Sequence, residues 1–307
     1  MRKTKLYIIF KSFGMNSKAL QLLTKKCEVV INKTGKRPDK QELKKLAKEY
    51  DGLIVGIREI IDKEVLSASK LKFIGVLGGS ENIDLVECKK RGIVVFDTVG
   101  VNAISVAEHT FALILNLAKN ILNMDKSVRS KKFDELRSSG IDLHRKTLGI
   151  IGAGYVAREV IKMAKAFGMN ILCWTFHPEM HRDLNVKFVE LEELLKKSDF
   201  ISIHIRLSER TKSLIGEKEL KLMKPSAFII NTSRGEIIDE NALIKALKNK
   251  QIAGAGLDVF REEPTYNEEL FKLNNVILTP HAAGISKDAK IKMEEKLAKD
   301  ICSFLEK

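Results

Sequence analysis

The chain has 307 residues, 44% hydrophobic and 31% charged, with 19 glycines and 5 prolines. That length leaves room for two domains at ~150 residues each, and the composition excludes collagen-like, low-complexity and largely disordered chains. Lys and Arg number 54 against 40 Asp and Glu, a net charge of +14 that favours small acidic partners through a general positive field. The basic residues alternate with acids, as in residues 40–49 and 287–296, so they read as solvated helix faces and not as a nucleic-acid surface. No apolar run approaches ~18 residues and no cleavage-type leader is evident, so neither a membrane span nor export is expected. Cys27, Cys88, Cys173 and Cys302 are too scattered to build a metal site or disulfide framework from neighbours, and a reducing, cytoplasmic setting is expected.

Short apolar runs at 6–10, 28–31, 52–57 and 73–77 alternate with helical stretches at 17–26, 40–48 and 63–68, the βαβα rhythm of a parallel sheet. Residues 102–122 are long and apolar enough for a buried or interface helix. A second alternating series starts at 147–151, with strands expected near 170–174, 200–204, 228–231, 253–259 and 276–278. The closing stretch is amphipathic, with Leu297, Ile301, Phe304 and Leu305 at helical spacing, and could pack back on the first half. The expected fold class is α/β, with two doubly wound parallel-sheet domains: residues 1–99 with 286–307, and residues 100–285. Their meeting place is the expected ligand cleft.

The strand at 147–151 runs into Gly152-Ala-Gly-Tyr-Val-Ala157 and then a helical stretch and another strand. Gly152 suits a tight turn, Gly154 a close approach of pyrophosphate, and Ala157 close strand-to-helix packing. The helix opening at Tyr155 and Val156 offers unsatisfied N–H groups to phosphate. Such a turn also occurs simply as tight packing, but the complete βαβ context favours a dinucleotide. Thr175 follows the second strand where an acid would bind the ribose of NAD. Nearby His177 and Arg182 could receive a 2′-phosphate, which tilts the reading toward NADP, or could be ordinary loop residues.

Arg234 stands just past the strand at 228–231, with Gly235 allowing a reversal. A guanidinium at a strand's carboxyl end can hold a carboxylate and polarise its carbonyl neighbour, or form a surface ion pair. Glu263 precedes Pro264, and His281 follows Pro280; each ring restricts the adjoining backbone. Small neighbours in His281-Ala-Ala-Gly284 leave room for a cofactor ring, making His281 the best acid/base candidate of six histidines. His109 reads as a packing or interface residue, His144 and His181 as loop residues, and His204 as lining the cofactor crevice without a catalytic role.

Taken together, Thr147-Leu-Gly-Ile-Ile-Gly-Ala-Gly154, Met223-Lys-Pro-Ser-Ala227, Asn231-Thr-Ser-Arg-Gly235, Gly256-Leu-Asp-Val-Phe260 with Glu263-Pro264, and Leu278-Thr-Pro-His281 make the chain resemble the D-isomer-specific 2-hydroxyacid dehydrogenases over nearly its whole length. The resemblance implies a flavodoxin-like substrate domain split around a Rossmann cofactor domain, and a homodimer built on the apolar helix near 102–122. It implies hydride exchange between NAD or NADP and a small anionic 2-hydroxy or 2-oxo acid. Arg234 would bind substrate, His281 would be the acid/base and Glu263 its partner. Thr232 and Ser233 would line the cofactor site, Asp258 would meet the nicotinamide amide, and Gly78, Gly79 and Arg58 would contact the substrate carboxylate. Thr175 and Arg206 depart from the family pattern, so coenzyme preference stays open. A dinucleotide-responsive corepressor of the same architecture is the alternative.

Overall fold

A computed structural model describes residues 3–137, 140–265 and 267–306. Contacts divide the chain into two compact units, Met1–Asn102 with Ile285–Lys307, and Ala103–Gly284.

The first unit holds β1 (Thr4–Ile8), β2 (Cys27–Ile31), β3 (Gly52–Val55), β4 (Phe73–Val76) and β5 (Val94–Phe96) in one parallel sheet ordered β2-β1-β3-β4-β5. This is the flavodoxin-like order, with its switch point between β1 and β3. Strands β3 and β4 are buried along their whole length, as expected of central parallel strands covered on both faces. Three of the helices around them begin with side-chain caps. Asp39 and Glu42 form a capping box at Lys40–Glu49, and Asp62 and Asp84 cap the next two, which satisfies donors the first turn leaves open. The closing helix Lys287–Leu305 places Leu297, Ala298 and Ile301 in a core with Leu6, Ile8 and Phe73. A Cβ at Gly75 would stand 3.0 Å from Leu297 Cδ1, so the missing side chain in β4 permits that close approach. Its buried Glu294 accepts from the Gly14 amide (3.0 Å) and Ser17 Oγ (2.8 Å), tying down the loop after β1.

The second unit holds β6 (Thr147–Ile151), β7 (Asn170–Trp174), β8 (Lys187–Phe188), β9 (Phe200–Ile203), β10 (Phe228–Asn231), β11 (Gly254–Leu257) and β12 (Val276–Leu278). All pairings are parallel, in the order β12-β11-β10-β9-β6-β7-β8. Two doubly wound parallel sheets are therefore the architecture. In this sheet the winding reverses between β6 and β9, where a crevice opens beyond the strand ends.

The expected single helix over 102–122 is instead two. Ala103–Lys119 ends at Asn120, which sits at φ 55 and starts Ile121–Arg129 in a new direction. Asn tolerates the left-handed region better than most side chains, and an apolar run does not reveal such a break. The two- and three-residue strands β8 and β5 are too short to show a period and were not anticipated. Among the described residues, no helix is long and apolar enough to cross a membrane.

Ile201 in β9 is fully buried, whereas Val86 is about two-thirds exposed. Ile201→Ala should cost ~2–5 kcal/mol through lost burial and a residual cavity, and Val86→Ala no more than ~0.5 kcal/mol. Urea unfolding followed by circular dichroism measures both.

Candidate active site

Gly152 ends the turn out of β6 at φ +107. A Cβ there would lie 2.3 Å from the His204 carbonyl oxygen, so both conformation and space demand glycine. Its amide donates to the Trp174 carbonyl (2.8 Å), and the His204 amide donates to the Ile151 carbonyl (2.7 Å), which pins the turn to the ends of β7 and β9. Gly154 is the N-cap of the helix Tyr155–Ala166 and has no side chain to occupy the helix's first donors. A Cβ on it would meet nothing within 4 Å. Tyr155 is exposed, Val156 half-buried and Ala157 fully buried. An uncapped helix start with open space above it and a small residue packed beneath it fits a dinucleotide pyrophosphate.

Other expected cofactor contacts follow the carboxyl ends of β7 and β10. Thr175 follows β7 and is half-buried. Thr232 bonds Thr110 Oγ1 across 3.0 Å. Ser233 takes its position from the Asn231 side chain (3.0 Å) and donates its hydroxyl to the Ile205 carbonyl (2.5 Å). His204 bonds Ser202 Oγ at 2.8 Å, and burial lowers its pKa to about 3, so the ring is neutral and lines the crevice without acid/base work. His177 faces Glu179 at 3.2 Å, a carboxylate unfavourable to a phosphate there. Arg182 is exposed.

Three neighbouring strands, β10, β11 and β12, deliver Arg234, Glu263 and His281 in turn from their carboxyl ends. Arg234 follows β10. Its carbonyl accepts from Asn231 Nδ2 (2.9 Å) and its own guanidinium donates to the Ser233 carbonyl (2.7 Å). Next to it, a Cβ on Gly235 would come within 2.0 Å of the Phe260 backbone, so glycine lets the β10 loop lie directly on the loop that carries Glu263. Glu263 Oε1 accepts the Phe260 amide (3.2 Å), and Oε2 meets His281 Nδ1 at 2.6 Å. That is a short, charge-assisted distance. Both side chains are about four-fifths buried, 18% and 19% exposed, so solvent screens the pair only weakly.

His281 itself sits at φ 56, an uncommon conformation for a residue with a side chain. Asp258 holds it there. The Asp258 carbonyl accepts the His281 amide (2.8 Å), and its fully buried carboxylate accepts from Thr279 Oγ1 (2.6 Å) and the amides of Ala282 and Ala283 (2.9 Å each). His109 Nε2 reaches Thr279 Oγ1 at 3.0 Å and lies 3.5 Å from Asp258 Oδ1. His109, read from sequence as packing, thus supports the loop of His281. Its apolar helical setting carries no signal of this, because the contact joins residues far apart in the chain.

In the first unit, Gly78 sits at φ +125 and its amide donates to Thr98 Oγ1 at 2.8 Å. That amide is occupied within the protein. The amides of Gly79 and Ser80 have no protein acceptor among the described residues. Arg58 follows β3 beside the buried Glu59, which accepts the Gly56 amide (2.9 Å) and pairs with Arg37 (3.3 Å). This Glu59 anchor was not anticipated from the sequence. Among the described residues, no cluster of His, Cys, Asp and Glu could hold a metal.

The family model described as "D-isomer specific 2-hydroxyacid dehydrogenase, NAD binding domain" matches residues 111–283. The chain belongs to this family. It is 44% identical to a glyoxylate reductase of Thermococcus litoralis, covering 96% of this chain and 93% of the relative, and 43% identical to that of Pyrococcus horikoshii, covering 93% and 89%. Among solved structures it is similar to a protein from Thermus thermophilus, with a TM-score of 0.91, 33% identity and coverage of 98% and 97%. An acyclic imino acid reductase in complex with NADPH and D-Arg superposes with a TM-score of 0.89 at 32% identity, also covering 98% and 97%. The chain is accordingly an oxidoreductase that uses NAD or NADP on 2-hydroxy and 2-oxo acids. A corepressor without turnover is not supported.

Gly152→Ala should abolish dinucleotide binding, since the new methyl collides with the His204 carbonyl. Titration of protein fluorescence with NADH and NADPH checks this, and retained affinity would contradict the placement of the turn.

Proposed function

We propose that the protein reduces a small, unphosphorylated 2-oxo acid of the glyoxylate type, with NADPH as the preferred coenzyme. The observation that carries the reading is the 2.6 Å contact of His281 with Glu263 in the unit that also bears the glycine turn. The relatives' name, glyoxylate reductase, supports the substrate class, and Thr175 in place of a ribose-binding acid supports the coenzyme. The Ala103–Gly284 unit is the proposed cofactor domain and the other unit the proposed substrate domain.

A reduced nicotinamide held beside the glycine turn would supply a hydride to the carbonyl carbon. Glu263 holds Nδ1 of His281, which leaves Nε2 to give its proton to the carbonyl oxygen. Arg234 binds the substrate carboxylate and stabilises the oxygen as negative charge develops on it. Asp258, Thr232 and Ser233 shape the nicotinamide surroundings. Arg58 and the loop of Gly78 and Gly79 are the proposed further contacts to the carboxylate, with the Gly79 amide as the open donor. In oxidation His281 receives the proton instead.

We also propose a homodimer that covers the exposed apolar residues Ile104, Ile121, Leu122, Val128 and Phe133 along Ala103–Lys119 and the helix and turn that follow. A reducing, cytoplasmic setting suits the four cysteines, which stand as separate thiols.

His281→Ala should lower kcat by ~10²–10⁴-fold while the dissociation constant for NADPH stays unchanged; stopped-flow and equilibrium titration separate the two, and undiminished turnover would reject the role. Glu263→Ala should lower kcat while the NADPH dissociation constant stays unchanged, because the His281 ring loses the acceptor that holds Nδ1. Undiminished turnover would count against the pair. Light scattering should give twice the chain mass.

A further inference from the structure

Trp174 closes β7, and Thr175 takes the corner where an acid would otherwise bind a ribose. Phe176 comes next, edge-on to Trp174 with ring centroids 4.9 Å apart. Above it lies Arg210, whose guanidinium carbon stands 4.0 Å from the ring centroid. Arg210 belongs to the exposed segment after β9, the strand on the far side of the switch point. Two separate stretches of chain therefore converge on one corner of the crevice.

The charges around that corner differ in what they are already doing. Arg158 is engaged by both oxygens of Asp183, and His177 faces Glu179. Arg210 has no carboxylate partner among the described residues. A guanidinium stacked on an aromatic ring is held by its face, and its N–H edge stays open to an oxyanion. Stacking also restricts a long side chain before any ligand arrives, which reduces the ordering cost on binding.

We propose that Arg210, held on Phe176, is the residue that discriminates between coenzymes, its N–H edge binding the 2′-phosphate of NADP(H). Thr175 assists by replacing a repelling carboxylate with a neutral hydroxyl. This rests on the dinucleotide reading of the Gly152 turn. It relocates the phosphate contact from His177 and Arg182 to a segment that follows a different strand. A planar guanidinium matches a phosphate bidentately, and a charge-assisted pair of this kind carries about tenfold or more in affinity.

The test is calorimetric titration of the full chain with 2′,5′-ADP and with ADP, which differ by the phosphate in question and need no turnover. The unchanged protein should bind 2′,5′-ADP about tenfold or more tightly than ADP. Arg210→Ala should remove most of that preference and leave ADP binding unaltered; Phe176→Ala should reduce it partly, and Arg182→Ala should retain it. The ratio of kcat/KM for NADPH over NADH should fall in parallel. The proposal is overturned if Arg210→Ala weakens both nucleotides equally, if Arg182→Ala carries the loss, or if the unchanged protein prefers ADP. Binding that depends on Arg210 in a protein that reduces no 2-oxo acid would uphold this inference and refute the proposed reaction. Failure of both nucleotides to bind would refute the dinucleotide reading together with the inference.

Discussion

The proposed chemistry depends on one imidazole being held in an uncommon backbone conformation. His281 at φ 56 carries a strain of ~1–3 kcal/mol, and relaxation would turn its ring away from Glu263. The buried Asp258 carboxylate opposes this through bonds to Thr279 on one side of His281 and to Ala282 and Ala283 on the other. Asp258 thereby acts on the loop as a positioning residue, whatever else it meets when a cofactor is bound.

The sheet explains how groups so distant in the chain come together. In a parallel sheet every strand points its carboxyl end to the same edge, so β10, β11 and β12 each send a loop there. Adjacent strands place Arg234, Glu263 and His281 in adjacent loops, and Gly235 lets the first of these rest on the second. The other half of the same edge, across the β6/β9 switch, carries the glycine turn. The proposed coenzyme recognition and the proposed proton transfer are thus two uses of one edge. Arg210 over Phe176 adds to that edge a contact from the segment after β9.

Much of this was legible beforehand because it rests on local rules. Strands such as β6, β7, β10 and β12 coincide with their apolar runs, since a buried parallel strand must be apolar throughout. The glycine turn was readable because its demands on space and φ fall on consecutive residues. What escaped were features without a local signature. The break at Asn120 leaves the apolar pattern of its helix intact, and β5 and β8 are too short for any period. Bonds from His109 to Thr279, and from Gly78 to Thr98, join residues that only the fold brings together. The stacking of Arg210 on Phe176 is of the same kind.

The central claim is that Glu263 fixes the proton on Nδ1 of His281 and leaves Nε2 as the nitrogen that exchanges it. Long-range proton–nitrogen correlation spectra of histidine-labelled protein, followed across pH, test this directly. The neutral ring of His281 is expected to be the Nδ1–H tautomer, with Nδ1–H donating to Glu263. A neutral ring that carries its proton on Nε2, or a tautomer left unchanged by Glu263→Ala, would contradict it.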